Sequence, residues 1–366
     1  MLLLCALMAG GSSAWAIDVT ATLTGEAMLE GNPPSDKYSA HTGVTDDKGN
    51  VYKGYWVYQK NGQKFLNMIQ IKKHATEKSA HIVLPKFDGY IKTITLTTTD
   101  ATATTSSGTG AKTVLRIVKG TEHTSTEGTN VNNKILDEGS TSKASKSYVF
   151  DFTELGTKYD GEGLYIASLN AAVRIWKIEV VYEVTTTPAK ITAAEYATFN
   201  SKYATDFSTT DITVYTAVDN GLSVGLNEVT SGKVPANTPV VLYKAGADGT
   251  PIDVPVIPSA DVIEQTNNLA VSDGSAKDDI YVLAQHDGKV GFYKWAGAAL
   301  SAGKVYLKPT APATARDFLG FDETTAVESV KVAAAQQGDY YNLAGQRVAN
   351  PTKGLYIVNG KKVIIK

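Results

Sequence analysis

Cysteine is almost absent from this chain, because Cys5 is the single cysteine among 366 residues. One cysteine supplies neither a disulfide framework nor a zinc site built on several thiolates. A dominant charge is lacking too, since 35 Lys and Arg residues stand against 37 Asp and Glu residues and the formal net charge is −2. Without a basic excess the composition carries no electrostatic footprint for nucleic acid, and we expect no nucleic-acid partner.

Long apolar runs are also lacking. The N-terminal run from Met1 to Gly10 would extend roughly 15 Å as a helix, about half of a bilayer core, so no membrane span is expected. The run is followed by Ala14-Trp-Ala16, the small-x-small pattern of a secretory signal peptide. The sequence predicts a signal peptide over 1–16, cleaved after Ala16, and a secreted or cell-surface location. The alternative is a buried N-terminal strand or helix.

Alternation of apolar and polar residues is what the sequence has instead. Between turn-forming clusters, period-2 stretches recur at 18–24, 64–72, 90–97, 113–118, 147–152, 164–167 and 173–182. Such spacing predicts half-buried β-strands, and in the last stretch it places Trp176 on the buried face with Ile178 and Val180. No convincing amphipathic helix interrupts the pattern. We therefore predict an all-β chain with a jelly-roll-like β-sandwich over 17–184.

The rest of the chain divides by composition. Residues 185–190 contain Pro188, which cannot donate to a strand ladder, and are predicted to be a linker. A second β-rich domain is expected over 191–309, and 310–339 is poor in large apolar residues and is predicted to be a flexible linker. The tail 340–366 has Asn359-Gly360 between two short apolar runs, a strong signal for a β-hairpin.

The tail also carries a recognisable motif. Tyr340-Tyr-Asn-Leu-Ala-Gly-Gln-Arg-Val348 is followed by Gly354-Leu-Tyr-Ile-Val358 and a basic-ended strand. This pattern resembles the C-terminal sorting segment of Bacteroidetes type IX secretion substrates, although the tail is shorter than a complete sorting domain. The resemblance implies contact with export machinery, with Gly354 and Tyr356 at its fixed positions. The alternative is a short C-terminal module of Prevotella-like secreted proteins.

Two further resemblances concern the other domains. Val234-Pro-Ala-Asn-Thr-Pro-Val-Val-Leu242 and Ala302-Gly-Lys-Val-Tyr-Leu307 are similar to phrases of a module found in the same exported proteins. That likeness implies a bacterial envelope setting and no particular activity. The first domain resembles the jelly-roll modules that accompany glycan-handling and adhesive proteins in these bacteria.

Catalytic motifs are weak. Gly221-Leu-Ser-Val-Gly225 fits the letters of a nucleophile elbow, but Leu222 and Val224 alternate with Ser223 as in a continuing strand, so we expect an inert serine. The histidines are scattered surface residues without a metal-binding motif: His41, His74, His81, His123 and His286. We therefore predict no catalytic residue, no metal site and no cofactor.

One aromatic segment points to binding. In Tyr52-Lys-Gly-Tyr-Trp-Val-Tyr58, strand alternation puts Tyr52, Trp56 and Tyr58 on one face and Tyr55 on the other. Aromatic rings stack on the apolar faces of sugars, so these three residues are the candidate ligand site; the alternative is that this face is core. The sequence predicts a non-enzymatic exported protein that binds a glycan or a host surface. The alternatives are a structural envelope protein and a glycan-directed hydrolase.

Overall fold

The computed structural model describes residues 16–29, 38–58, 69–71, 80–98, 114–120, 128–136, 146–169, 173–276, 278–310, 316–321, 340–342, 346–348, 354–358 and 361–365. Within them the chain forms twenty-eight strands and one five-residue helix, α1 (Gly25–Leu29). The predicted all-β class is confirmed. The predicted signal peptide lies outside the described residues, except for Ala16. None of the described helical segments is long and apolar enough to cross a bilayer.

The first eleven strands form a body that we call the first sandwich. They are β1 (Ile17–Thr24), β2 (Ser39–Thr45), β3 (Val51–Tyr58), β4 (Ile69–Ile71), β5 (His81–Val83), β6 (Tyr90–Thr98), β7 (Val114–Lys119), β8 (Thr129–Ile135), β9 (Lys146–Asp151), β10 (Leu164–Ser168) and β11 (Val173–Val184). One sheet contains β1 and β4 on one side of β11 and β6 and β9 on the other; the second has the order β8-β7-β10-β5-β3-β2. Their facing apolar side chains form one core. The architecture is sandwich-like, and jelly-roll connectivity stays a prediction.

Strand β3 joins the two sheets. Its residues up to Trp56 pair with β2 and β5 in one sheet, whereas Val57 and Tyr58 pair with β4 in the other. Trp56 therefore lies where the strand passes from one sheet to the next. Gly54 leaves the room that this corner needs, because a Cβ there would overlap the His81 carbonyl oxygen and touch the Trp56 ring.

A middle block follows in thirteen strands. They are β12 (Thr186–Ala189), β13 (Tyr196–Phe199), β14 (Ala204–Asp206), β15 (Thr213–Asp219), β16 (Val224–Glu228), β17 (Lys233–Val234), β18 (Val240–Tyr243), β19 (Ile252–Ile257), β20 (Leu269–Val271), β21 (Tyr281–His286), β22 (Lys289–Lys294), β23 (Val305–Leu307) and β24 (Phe318–Leu319). They form three sheets with the orders β12-β19-β14-β17, β13-β18-β15-β16 and β20-β23-β21-β22-β24.

The middle block has two cores, one on each side of the β13-β18-β15-β16 sheet. Strand β18 shows why: Val240 and Leu242 belong to one core and Val241 to the other. A strand buried on both faces needs a continuous apolar run rather than alternation, and Val-Val-Leu supplies it.

The predicted linker at 185–190 contains a strand. Thr186–Ala189 pairs with Ile252–Pro255, and Pro188 lies within the pairing. The prediction failed because proline is excluded from central strands but not from edges, and β12 is the edge of its sheet.

The predicted flexible linker over 310–339 also contains ordered structure. Phe318–Leu319 pairs with β22, the Leu319 side chain is buried, and Phe321 packs on the same core. Two large apolar residues here add the last strand to the five-stranded sheet. Residues 311–315 and 322–339 lie outside the described part of the chain.

The tail forms a C-terminal sheet of four strands: β25 (Tyr340–Tyr341), β26 (Arg347–Val348), β27 (Gly354–Val358) and β28 (Lys361–Ile365). The last two pair with Val358 opposite Lys361, as the hairpin prediction requires, although Asn359 and Gly360 themselves lie outside the described residues. The predicted two-stranded ribbon is too small, since β25 pairs with both β26 and β27.

Candidate functional site

Two of the predicted sugar-stacking residues are core residues. Tyr52 is fully buried, and Trp56 is 1% exposed. The Trp56 ring stacks on His41, with ring centroids 4.5 Å apart and planes 11° apart. Alternation correctly put Tyr52 and Trp56 on one face, but that face points between the sheets. A ligand cannot stack on either ring, so their assignment as binding residues is wrong. The Tyr58 side chain lies outside the described part of the structure.

Two histidines expected at the surface are also buried. His41 is buried beneath the Trp56 ring, and its Nε2 is 3.2 Å from the Trp56 carbonyl oxygen. Burial lowers the pKa of the His41 imidazole. His81 packs edge-on against Tyr165 at 5.6 Å between ring centroids. Among the described residues, no group of three or more His, Cys, Asp or Glu side chains is arranged to hold a metal ion.

Ser223 lies in a bend before β16 rather than inside a strand, so the predicted strand begins two residues too early. Gly221 takes a positive φ of 79° in this bend. A nucleophile elbow requires a strand before the serine and a helix after it, whereas here a bend is followed by strand β16.

Among the side chains of the first sandwich that the structure describes, Tyr90 is the most exposed large aromatic, at 43% of its surface. A β-bulge puts it there. Ile91 pairs with Tyr182 and Thr93 with Val181, so Lys92 is an extra residue in the ladder. The extra residue turns Ile91 into the core and Tyr90 outward.

A first cleft of about 300 Å³ opens on one side of Tyr90, lined by Ile91, Lys92, Phe152, Thr153, Gly156, Thr157, Lys158 and Glu183. The Lys158 ammonium lies 5.0 Å from the Tyr90 ring centroid, within range of a cation–π contact. Lys92 Nζ lies 2.9 Å from an Asp18 carboxylate oxygen, and this bond holds the pKa of Lys92 above its usual value. The cleft thus combines an aromatic wall with ammonium, carboxylate and hydroxyl groups.

A second cleft of about 360 Å³ also has Tyr90 in its wall, together with Lys86, Phe87, Asp88, Gly89, Asp160, Thr185 and Thr186. Lys86 Nζ is 2.8 Å from Glu162 and 3.5 Å from Asp160. Asp88 is 2.8 Å from Lys202 Nζ of the middle block. The cation in this wall, Lys86, therefore has anionic partners, and the Asp88 carboxylate has a cationic one.

Gly89 fixes the segment that carries Tyr90. A Cβ at this position would overlap the Glu183 carbonyl oxygen on β11. Only glycine lets the backbone before β6 approach β11 this closely, and the approach brings Tyr90 next to Glu183.

The arrangement suits a polyhydroxylated ligand. Sugar hydroxyls both donate and accept hydrogen bonds, and the clefts offer carboxylate acceptors, ammonium donors and threonine hydroxyls that do both. The exposed Tyr90 ring between them can stack on an apolar sugar face. Both volumes fall at the lower end of the range for small-molecule sites, about 300–1,000 Å³.

The predicted sorting residues lie in the C-terminal sheet. Gly354 pairs with Ile365 and Tyr356 with Val363, and Tyr356 is 9% exposed. Two residues of the Tyr-Asn-x-x-Gly-Gln part of the motif are joined between β25 and β26, since Asn342 Oδ1 accepts a 2.9 Å hydrogen bond from the Gln346 backbone N–H. These motif residues therefore build the sheet itself.

Sequence reasoning missed Tyr90 although its strand was predicted. The available signal was the three-residue spacing between Ile91 and Ile94, which breaks period 2 and indicates a bulge. A search against protein-family models and a search of curated proteins both return no match for this chain.

Proposed function

We propose that this chain is an exported, non-catalytic binding protein whose first sandwich binds carbohydrate at Tyr90. The observation that supports this function is an exposed aromatic ring between two clefts that carry hydrogen-bonding groups of both kinds. The charged groups are largely paired: Lys92 with Asp18, Lys86 with Asp160 and Glu162, and Asp88 with Lys202. Paired charges leave little net field for an ionic ligand and favour an uncharged oligosaccharide.

Replacing Tyr90 by alanine tests this function. Loss of a stacking ring is expected to weaken glycan binding by about 1–3 kcal/mol, by analogy with aromatic stacking on nucleic-acid bases, which is roughly fivefold to more than a hundredfold in Kd. Because the ring is exposed, the melting temperature should barely change. The measurement is a glycan array, followed by calorimetry with the tightest oligosaccharide.

Tyr341→Ala is the matched control, because Tyr341 is a tyrosine of similar exposure, 37%, in the C-terminal sheet. Tyr90→Trp should retain binding, since it keeps an aromatic face. Equal binding by the parent and Tyr90→Ala proteins would rule out this site. No binding on the array by any of the proteins would favour a structural envelope role instead.

The tail supports the export part of the proposal. Within the described residues its four strands pair only with one another, so its removal breaks no strand ladder of the other domains. We expect a chain lacking Tyr340–Lys366 to fold but to remain in the periplasm of a bacterium that has type IX secretion. Surface labelling of intact cells measures this, and circular dichroism checks folding.

Single changes sharpen that experiment. Gly354→Ala and Tyr356→Ala should reduce surface delivery most, whereas Val262→Ala, at a residue 78% exposed in the middle block, should not. Normal surface delivery of the truncated chain would mean that the tail is a structural appendage.

A further inference from the structure

The outer face of the five-stranded sheet in the middle block carries a row of aromatic side chains. Val282 pairs with Tyr293, and Tyr293 pairs with Phe318. Tyr281 pairs with Leu307, so continuing this antiparallel register puts Tyr306 on the side of Val282. We call Tyr306, Val282, Tyr293 and Phe318, of which all but Val282 are aromatic, the aromatic row. They lie on adjacent strands in the order β23-β21-β22-β24, so at about 4.8 Å per strand the row extends roughly 14 Å across the sheet.

Alternation shows that the row faces away from the core. Its neighbours along the strands point inward and belong to the core shared with the central sheet: Leu307, Tyr281, Phe292 and Leu319. The three aromatic members of the row are half-buried, so each ring leaves part of its surface accessible.

The rings are held in place by local contacts. The Tyr293 and Phe318 ring centroids are 4.7 Å apart, and His286 packs edge-on against Tyr293 at 4.4 Å. Gly291 lies beneath the Phe318 ring, where any Cβ would collide with it. The Tyr293 hydroxyl donates a 2.9 Å hydrogen bond to the Lys289 carbonyl oxygen. Rings fixed in this way lose little freedom when a ligand binds.

A cleft of about 330 Å³ adjoins one end of the row and shares Tyr306 with it. Its other walls include Asp278, Asp279, Lys308 and Thr310. Carboxylates, an ammonium group and a hydroxyl again stand beside an aromatic ring. The chemistry repeats that of the Tyr90 clefts on a different domain.

We infer that the aromatic row and this cleft form a second carbohydrate-binding surface, which takes an uncharged oligosaccharide lying across the strands. A single line of rings beside a mixed-charge cleft offers stacking and hydroxyl recognition together. It is too narrow to resemble the broad apolar core of a stable protein interface. Two surfaces on one chain would raise its apparent affinity for a polysaccharide.

The test uses the full chain with Tyr90→Ala, which removes the proposed first site, and an array of uncharged oligosaccharides. Residual binding is expected, and adding Tyr306→Ala or Tyr293→Ala should weaken it at least tenfold. Tyr293→Phe keeps the ring and should retain binding. Lys308→Ala changes an exposed cleft residue without touching the core and should weaken binding about threefold or more. Val262→Ala, at a residue 78% exposed elsewhere in the block, is the control.

The outcomes separate the two sites. Unchanged binding by the Tyr306, Tyr293 and Lys308 variants overturns the second surface while leaving the Tyr90 site intact, and loss of all binding in Tyr90→Ala alone does the same. If Tyr90→Ala leaves binding unchanged and the Tyr306, Tyr293 or Lys308 variants weaken it, the second surface is supported and the Tyr90 site is contradicted. A dimer in sedimentation analysis that Tyr293→Ala abolishes would show that the row joins two copies, and would overturn the inference.

Discussion

Replacing Trp56 by alanine is expected to lower the free energy of unfolding of the first sandwich by about 3–5 kcal/mol. Trp56 is 1% exposed and lies where β3 passes from one sheet to the other. Its removal leaves a cavity between both sheets and takes away the ring that stacks on His41. The neighbours cannot close the cavity easily, because two hydrogen-bonded sheets hold the backbone on either side. Urea denaturation followed by circular dichroism measures the loss.

Tyr90→Ala provides the contrast, since an exposed residue outside the core should change stability by no more than about 0.5 kcal/mol. The sequence predicted that Trp56 binds a ligand, but its replacement should affect stability. Tyr90 was not predicted as a binding residue, and its replacement should affect binding. A loss below about 1 kcal/mol for Trp56→Ala would contradict the core assignment.

The strands were largely predictable because period 2 is a local property. Stretches such as 90–97, 147–152 and 164–167 became strands within one or two residues of their predicted bounds. What alternation cannot supply is which of two faces points inward. Tyr52 and Trp56 share a face in either case, and only the second sheet packed against β3 makes that face the core.

Bulges explain the residues whose faces were assigned wrongly. Ile175 pairs with Thr98 and Lys177 with Thr97, so Trp176 is an extra residue in β11. The sequence predicts Trp176 on the core face with Ile178, but the structure leaves its side chain half-buried. One extra residue exchanges the faces of everything that follows. A bulge at Lys92 likewise turns Tyr90 outward. The strand that carries Tyr90 was therefore predictable, but the exposure of its side chain was not.

The two domains of the chain share part of one core, which sequence reasoning about separate blocks did not anticipate. Tyr203, between β13 and β14, packs in the core of the first sandwich together with Val256 of β19. The Tyr203 hydroxyl donates a 3.1 Å hydrogen bond to Asp88, which also pairs with Lys202. Burial raises the pKa of the Tyr203 phenol, so it remains protonated and can donate this bond. Asp88 thereby links the second Tyr90 cleft to the middle block.

We therefore expect Tyr203→Ala to cost about 3 kcal/mol and to uncouple the unfolding of the two domains. In the parent chain, hydrogen exchange followed by mass spectrometry should show β1–β11 and β12–β19 losing protection together as denaturant is added. In Tyr203→Ala the two groups of strands should lose protection at different denaturant concentrations, because the shared apolar contact is gone.

Tyr203→Phe separates the ring from its hydroxyl. It keeps the buried ring and removes only the hydrogen bond to Asp88, which is half exposed and retains Lys202, so the cost should be about 1 kcal/mol and the coupling should persist. If Tyr203→Ala still unfolds in one concerted step, the two domains must be coupled through other contacts, such as the packing of Val256 in the core of the first sandwich. The ring of Tyr203 would then contribute packing energy without transmitting cooperativity.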